Sequence, residues 1–465
     1  MNEYDVVVIG AGPGGYVCAI RASQNGLKAA IVDKEYLGGV CLNVGCIPSK
    51  ALLKNAELAH TLRERAAEFG ISFDNLKLDY GEAVRRSRQV SEKLTKGVAF
   101  LMKKNAIDVY MGSAKLASAS QVDVTDAQGA LQSLKAKNIV IATGASSFTP
   151  PAWNPDGTKV VSYKEAILQE KLPQSVVIIG AGAIGVEFST IWSSYGTKVT
   201  LVEMLPQVLP LADEEASKEL AKAYRKRGID VLTGHKVESV ETTANGVKVT
   251  VSSEEGQKVI EAEQALSAIG FKPNTANLGL QEAGVTLDAK GNVEVDERMA
   301  TNVPGVWAIG DVTGKMLLAH VASTQGILCA DAMAGKDTEP INYQMVPSAT
   351  FSNPQVANFG MTEAQAKEAG YEVKVGRFPF SANGKALGLA EAYGFAKIIS
   401  DAKYGEILGA HIVGPEASEL LPELTLAQRM EMTAHEIAKN IHTHPTLSEV
   451  LMEAAEGVDG KPIHI

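Results

Sequence analysis

The sequence predicts an α/β fold made of two parallel-sheet domains of the same design and a C-terminal α+β domain. The main observation is a strand, glycine-rich turn, helix and second strand that occur twice, about 170 residues apart. From about residue 344 onward, strands and helices follow a different order. A length of 465 residues fits this plan, because single domains usually span about 100–200 residues.

The first unit lies at the N-terminus. It begins with a strand, Tyr4–Ile9, which is followed by three glycines, Gly10, Gly12 and Gly15. A helix over Gly14–Asn25 and a second strand, Lys28–Val32, come next, and the unit ends at Asp33. The run YDVVVI is typical of a strand buried on both faces of a parallel sheet. The G-x-G-x-x-G spacing allows a tight turn that brings the backbone close to a pyrophosphate at the helix N-terminus. The acid is suited to accept hydrogen bonds from a ribose.

The second unit repeats this arrangement. It begins with a strand, Ser175–Ile179, which is followed by the glycines Gly180, Gly182 and Gly185. Its second strand is Lys198–Val202, and the acid is Glu203. In both units the acid lies 18 residues after the last glycine, and two such motifs in register predict two Rossmann-like dinucleotide-binding domains. Glu203 favours NAD over NADP, because a carboxylate bonds a free 2′-hydroxyl and repels a 2′-phosphate. No arginine follows it in Met204–Pro210.

Two further segments indicate that the chain returns to the first unit. Ile139–Gly144 and Val306–Asp311 each resemble a short buried strand that ends at a glycine, and Asp311 could bind a cofactor hydroxyl. Because they flank the second unit, we expect the first domain to be interrupted by the second, as in flavoproteins with FAD at the first unit and a nicotinamide at the second. The predicted limits are 1–149 and 271–343 for the FAD-binding domain, 150–270 for the NAD-binding domain and 344–465 for the C-terminal domain.

Cys41 and Cys46 follow the first acid closely. C-x4-C is not a common zinc spacing, and no second pair of cysteines or clustered histidines lies nearby in the sequence, so no metal site is expected. Closely spaced cysteines in a cytosolic chain are otherwise catalytic or fortuitous. Thiolates at a helix start, with Lys50 one turn beyond Cys46, would be stabilised electrostatically and hence reactive. Cys18 and Cys329 fall in apolar helical segments, where we expect buried structural thiols.

The segment Ile441–Val450 (IHTHPTLSEV) offers two histidines and an acid at a helix start. A histidine has the pKa needed to remove a thiol proton near neutral pH, and a carboxylate beside it would orient the ring. Among eight histidines, the residues alone do not single one out.

Composition restricts the possible partners and location. A net charge of −10 disfavours nucleic acid and anionic membrane surfaces as main partners. No apolar run reaches the roughly 20 residues of a membrane span. We interpret Met1 to Gly10 as already part of the first strand, without a signal peptide, and expect a cytoplasmic location.

The cysteine segment GGVCLNVGCIPSKALL (Gly38–Leu53) resembles the active-site signature of the pyridine nucleotide–disulfide oxidoreductases. The resemblance covers essentially the whole chain, and its further motifs are Gly180–Phe188, Ala268–Asn274, Ala308–Val312 and His442–Glu449. The core CLNVGCIPSK is most similar to the members that oxidise dihydrolipoyl groups. Two positions differ from the usual pattern: Val40 replaces a threonine that can hydrogen-bond the flavin, and Asp33 replaces a glutamate but keeps the carboxylate.

The resemblance implies a role for each matching residue. Cys46 corresponds to the cysteine nearest the flavin, Cys41 to the one that exchanges with substrate, and His444 with Glu449 to the catalytic base and its partner. The implied cofactor-binding residues are Gly10, Gly12, Gly15, Asp33, Lys50, Ala114, Thr143, Gly144, Asp311, Ala319, Gly180, Gly182, Gly185, Glu187, Glu203, Val237 and Gly270. Lys50 is expected near the flavin N5 and paired with Glu187.

The implied activity is oxidation of protein-bound dihydrolipoamide through a Cys41–Cys46 disulfide and FAD, with reduction of NAD+. The C-terminal domain would form a homodimer, in which His444 acts on the other subunit. The implied partners are the lipoyl domains and acyltransferase core of 2-oxoacid dehydrogenase complexes, or the lipoyl protein of glycine cleavage. The alternatives are a glutathione or mercuric reductase, which Glu203 and the lack of a C-terminal cysteine pair disfavour, and a non-catalytic flavin-binding scaffold.

Overall fold

The computed structural model describes residues 2–465. Its strands, in chain order, are β1 (Asn2–Ile9), β2 (Ala29–Asp33), β3 (Asp108–Met111), β4 (Ser113–Ser118), β5 (Gln121–Thr125), β6 (Leu131–Ile141), β7 (Ala145–Ser147), β8 (Val160–Val161), β9 (Ser175–Ile179), β10 (Lys198–Val202), β11 (Asp230–Leu232), β12 (Lys236–Thr243), β13 (Gly246–Ser253), β14 (Gly256–Ala262), β15 (Gln264–Ser267), β16 (Phe271–Pro273), β17 (Val306–Ala308), β18 (Ser348–Thr350), β19 (Gln355–Gly360), β20 (Val373–Pro379), β21 (Phe395–Asp401) and β22 (Ile407–Gly414).

The α-helices of the same residues are α1 (Pro13–Gln24), α2 (Gly39–Asn43), α3 (Cys46–His60), α4 (Tyr80–Lys104), α5 (Tyr163–Ala166), α6 (Ala183–Ser194), α7 (Glu214–Lys226), α8 (Ala319–Met333), α9 (Glu363–Glu368), α10 (Gly384–Gly388), α11 (Ala417–Arg429), α12 (Ala434–Lys439) and α13 (Glu449–Val458). Within residues 2–465, we find no helix with both the length and the apolar character that a membrane span requires. Met1, which the sequence assigned to the first strand, lies outside the described residues.

The first sheet has the strand order β3-β2-β1-β6-β5-β4, and β17 also pairs with β6. The pairs β1–β2, β2–β3, β1–β6 and β6–β17 are parallel, whereas β4, β5 and β6 pair antiparallel. The chain therefore returns to this sheet at β17, after the second unit. The segment expected to be a short strand from Ile139 is the end of an 11-residue strand, β6, because its first half pairs with β5.

The second parallel sheet has the order β11-β10-β9-β15-β8, and a three-stranded antiparallel sheet, β12-β13-β14, adjoins it. The apolar runs of β9 and β10 pair in parallel, with Val177 opposite Thr200. These two strands have the same bounds that the sequence predicted. Each dinucleotide unit thus combines a parallel sheet with an antiparallel extension.

The C-terminal residues form an antiparallel sheet with the order β18-β19-β22-β21-β20. Strands β21 and β22 are buried along their whole length, and their core includes Phe359, Ile398 and Ile412. Helices α11 and α13 pack on this sheet. The predicted fold class, two Rossmann-like domains and a C-terminal α+β domain, is confirmed.

Candidate active site

The first glycine turn joins β1 to α1. Gly10 has φ +105°, and a Cβ there would overlap the carbonyl oxygen of Ala142, while a Cβ on Gly15 would overlap the carbonyl oxygen of Gly10. Gly12 faces open space, and no side chain of residues 2–465 caps the start of α1. Free backbone N–H groups at an open helix N-terminus suit a pyrophosphate, so this turn fits a dinucleotide.

The second turn, between β9 and α6, has the same construction. Gly180 has φ +102° and approaches the carbonyl of Ala268, and a Cβ on Gly185 would overlap the carbonyl oxygen of Gly180. Gly182 again faces open space at the helix N-terminus. The second turn therefore fits a dinucleotide for the same reasons.

Each predicted ribose-binding acid is tied to its own glycine turn. Asp33 Oδ2 accepts the N–H of Ala11 at 2.7 Å, and Glu203 Oε2 accepts the N–H of Ala181 at 2.7 Å. A second backbone N–H, from Glu35 or Leu205, bonds the other oxygen of the respective carboxylate. Asp33 Oδ1 also accepts the N–H of Tyr36 at 3.1 Å, so the lone pair left for a ribose hydroxyl on Asp33 is on Oδ2. Each oxygen of Glu203 keeps one lone pair. The shorter Asp33 keeps the two contacts that Glu203 makes and adds one from Tyr36, so this departure from the family pattern preserves the bond to the glycine turn.

Asp311 lies in a 3₁₀ turn, Gly310–Thr313, directly after β17. No other side chain of residues 2–465 hydrogen-bonds or ion-pairs its carboxylate, and burial raises its pKa to about 6. Helix α8 begins at Ala319 just beyond, and its Ala322 lies against Gly14 of the first turn. An unpaired, partly buried carboxylate beside this turn fits a ligand that carries hydroxyl groups.

The other residues predicted to contact cofactors lie on turns and strands around the two sheets. They are Ala114 on β4, Thr143 and Gly144 between β6 and β7, Val237 on β12, and Gly270 between β15 and β16. Thr143 Oγ1 donates to the carbonyl of Asn274 at 2.7 Å, and the Asn274 amide donates to the carbonyl of Thr143 at 2.9 Å. These bonds join the segment after β6 to the segment after β16.

The two candidate redox cysteines lie on successive helices. Cys41 lies in α2 and Cys46 begins α3; both are free thiols of intermediate exposure. A hydrogen bond from Cys41, together with the charge of Lys50, lowers the pKa of Cys46 despite its burial. The same hydrogen bond and burial raise the pKa of Cys41. Of the two thiols, Cys46 is therefore the one that ionises more readily.

Lys50 connects this centre to the second unit. Its Nζ lies 2.9 and 3.0 Å from the two carboxylate oxygens of Glu187, which belongs to α6. The Glu187 side chain is only 9% exposed, so the ion pair satisfies a charge that would otherwise be buried alone.

The predicted base lies in the C-terminal domain. His444 Nδ1 lies 2.8 Å from Oε1 of Glu449, the first residue of α13, and the N–H of Thr446 donates to Oε2 at 2.8 Å. Burial would raise the pKa of Glu449, but these two bonds outweigh it and lower the pKa. The His444 side chain is 78% exposed, and no hydrogen bond within residues 2–465 joins it to the cysteines.

His442 differs from His444. Its side chain is only 4% exposed and pairs with Glu423 at 3.0 Å, so it is less available to a substrate than His444. Residues 2–465 contain no group of His, Cys, Asp and Glu arranged to hold a metal ion.

Sequence reasoning missed one residue of this centre. Phe351 follows β18 in the C-terminal domain, and its ring centroid lies 4.4 Å from Lys50 Nζ. Its backbone N–H also donates to Glu187 Oε1 at 3.1 Å. No local pattern marks Phe351, because the contact spans 164 residues of sequence.

Two open dinucleotide turns and a pair of partly exposed thiols beside a lysine define an oxidoreductase with two dinucleotide sites and a thiol centre. The chain belongs to the pyridine nucleotide-disulphide oxidoreductase family, whose profile matches residues 4–326. The profile of the family's dimerisation domain matches residues 346–455. The predicted family and the C-terminal dimerisation domain are confirmed, and the protein is an oxidoreductase that uses FAD and NAD.

Similar proteins cover the whole chain. The dihydrolipoyl dehydrogenase of Mycobacterium leprae is 51% identical over 468 residues, with 100% of both chains covered. That of Corynebacterium glutamicum is 48% identical over 468 residues and covers 100% of this chain and 99% of its own. Among solved structures, LpdA from Mycobacterium tuberculosis has a TM-score of 0.91 and 27% identity, covering 98% of this chain and 99% of its own. The HOCl-induced flavoprotein disulfide reductase RclA from Escherichia coli has a TM-score of 0.85 and 28% identity, covering 96% and 98%.

Proposed function

We propose that the chain is a dihydrolipoyl dehydrogenase, which oxidises protein-bound dihydrolipoamide to lipoamide and reduces NAD+ to NADH. The observation that carries the proposal is the pair of free, partly exposed thiols on successive helices, Cys41 in α2 and Cys46 at the start of α3, with Lys50 one turn further along α3. Full-length identities of 48 and 51% to proteins of this name support it.

FAD is proposed to bind the first unit, at its glycine turn, Asp33 and Asp311. NAD is proposed to bind the second unit, at its glycine turn and Glu203. Ala114, Thr143, Gly144, Ala319, Val237 and Gly270 are proposed further contacts. When bound, FAD supplies an acceptor for the two electrons of the dithiol and a donor of hydride to NAD+.

Glu203 supports NAD over NADP on physical grounds. Both of its carboxylate oxygens accept backbone N–H groups, so the carboxylate is fixed at the end of β10. A fixed negative charge there favours a ribose hydroxyl and opposes a phosphate.

His444 is proposed as the base that removes a proton from a substrate thiol. Glu449 accepts a hydrogen bond from Nδ1, which leaves Nε2 to accept the proton, and the carboxylate stabilises the resulting imidazolium. The wide exposure of His444 on the dimerisation domain supports a role towards the partner subunit.

The proposed thiol–disulfide exchange has two steps. The substrate thiolate attacks Sγ of Cys41 in a Cys41–Cys46 disulfide, the S–S bond breaks, and Cys46 leaves as a thiolate. The second substrate thiol then attacks the mixed disulfide, which closes the lipoyl ring and releases Cys41 with its electron pair. The substrate loses two electrons and two protons: one proton is held by His444, the other passes to Cys41, and Cys46 remains a thiolate. Lys50 stabilises this charge once the disulfide is broken.

The proposed partners are a second copy of the chain and the lipoyl domains and acyltransferase core of a 2-oxoacid dehydrogenase complex, or a glycine-cleavage lipoyl protein. The dimerisation domain supports the first partner. The similarity to dihydrolipoyl dehydrogenases supports the second.

The test is NAD+ reduction by the purified holoenzyme with dihydrolipoamide, alongside NADP+ and glutathione as controls. We expect rapid NADH formation with dihydrolipoamide and little with either control. No reduction by dihydrolipoamide, together with NADPH-dependent turnover of another disulfide, would contradict the proposal and favour a related disulfide reductase.

A further inference from the structure

Phe351 contacts both members of the Lys50–Glu187 ion pair. Its ring lies under the ammonium at 4.4 Å, and its backbone N–H bonds the carboxylate at 3.1 Å. Lys50 belongs to α3, Glu187 to α6 and Phe351 to the segment after β18. Three domains therefore meet at this pair.

The Lys50 ammonium has few other restraints. Two of its interactions go to the oxygens of Glu187, and the remaining polar neighbour, Ser49 Oγ, lies at a long 3.4 Å. The Lys50 side chain keeps 33% of its surface exposed, so burial alone does not fix its position. The negative face of an aromatic ring attracts a cation at this distance and limits its movement.

The position of this ammonium matters for Cys46. Lys50 lies one turn beyond Cys46, and its positive charge lowers the pKa of the Cys46 thiol. Among the influences that lower this pKa, only the hydrogen bond from Cys41 is larger. Glu187 opposes this effect. Tyr163 also interacts with Cys46, and Tyr16 interacts with Cys41. The distance from Lys50 to the thiol therefore affects how readily Cys46 ionises.

We propose that Phe351 is a positioning residue of the dithiol centre: its ring and its backbone N–H hold the Lys50–Glu187 pair beside Cys46. The C-terminal domain thereby contributes to the charge state of a centre that lies in the FAD-binding domain. The inference rests on the proposed role of Cys41 and Cys46 as the redox pair. The competing explanation is that the ring only fills space between domains.

The test uses the reduced holoenzyme without NAD+ or lipoyl substrate. The rate of alkylation by iodoacetamide is measured as a function of pH, with each cysteine quantified by peptide mass spectrometry. Because the two thiols are coupled, the quantity compared is the apparent pH midpoint of the pair. For Phe351→Leu we expect this midpoint to rise by several tenths of a unit to about one unit, because the ammonium moves away and is better hydrated.

Three controls make the result specific. Phe351→Tyr keeps an aromatic face and should leave the midpoint within about 0.2 units of the wild type. A fluorinated phenylalanine at 351 keeps the shape but weakens the negative face of the ring, so it should shift the midpoint upward as Phe351→Leu does. Phe359→Leu loosens the core of the same domain, where Phe359 is 1% exposed, and should leave the midpoint unchanged.

An unchanged midpoint in both Phe351→Leu and the fluorinated variant would overturn the proposal. An equal shift in Phe359→Leu would also overturn it, because general loosening of the domain would then explain the effect. If Phe351→Leu does not fold, the fluorinated variant alone decides. Failure of the proposed function would instead be seen as absent NAD+ reduction by the wild type, which this titration does not measure.

Discussion

The chain contains two pairs of neighbouring cysteines, which differ in solvent exposure and in the residues around them. Cys41 and Cys46 are partly exposed at the contact of α2 and α3, with Lys50 nearby. Cys18 and Cys329 have no exposed surface and lie where α1 packs on α8. Burial and then a hydrogen bond with Cys18 raise the pKa of Cys329.

Closeness of two thiols does not by itself make a redox centre. A thiolate needs a positive charge or hydrogen-bond donors, and reactivity also needs access for the partner. The pair at α2 and α3 has a cation, a donor thiol and partial exposure, whereas the pair at α1 and α8 has apolar neighbours such as Val6 and Val8. We therefore expect function at the first pair and only packing at the second.

The largest expected effect concerns Cys46. Cys46→Ser should abolish NAD+ reduction by dihydrolipoamide, because a serine cannot form the disulfide through which the electrons pass. Cys18→Ala is the matched control and should retain most of the activity. Steady-state NADH formation by the holoenzymes measures both. Substantial turnover by Cys46→Ser, or complete loss in a folded Cys18→Ala variant, would contradict the comparison.

The next effect concerns His444, the proposed base for the first pair. His444→Gln should lower turnover by ~10²–10⁴-fold, the usual contribution of general base catalysis. The amount of FAD bound per protein chain should be unchanged, because His444 lies in the C-terminal domain. The measurements are kcat with dihydrolipoamide and the flavin absorbance of the purified protein. A decrease of less than a few-fold would indicate that another group removes the proton.

Chemical labelling separates the two pairs without mutation. In the reduced native protein, iodoacetamide should modify the Cys41–Cys46 pair, whereas Cys18 and Cys329 should react only after unfolding in urea. Buried thiols become accessible only when the surrounding structure opens. Peptide mass spectrometry reports each cysteine separately. Comparable native rates for the two pairs would show that burial does not protect the second pair.

The sequence predicted much of this site because its signals are local. The apolar run of β9 gave its bounds as Ser175–Ile179, and the glycine spacing indicated both turns. The length of β6 was underestimated, because its first part, LQSLKAK, is not a continuous apolar run. Buried and exposed residues are mixed along it, and pairing with β5 stabilises it as a strand. Phe351 could not be predicted, because its contacts depend on how three domains meet.

The smallest expected effect concerns the stability of the buried pair. Cys329→Ser places a hydroxyl among apolar residues of α1 and α8, which costs roughly 1–3 kcal/mol unless the hydroxyl finds a partner. Cys329→Ala is the control, because it removes the sulfur without adding a polar group and so reports the packing loss alone. Urea unfolding followed by circular dichroism gives the free energy of unfolding of each variant, and turnover should change little in both. We expect the serine variant to be less stable than the alanine variant. If serine is as stable as cysteine, the environment of Cys329 supplies a hydrogen-bond partner, and the second pair is less apolar than its burial indicates.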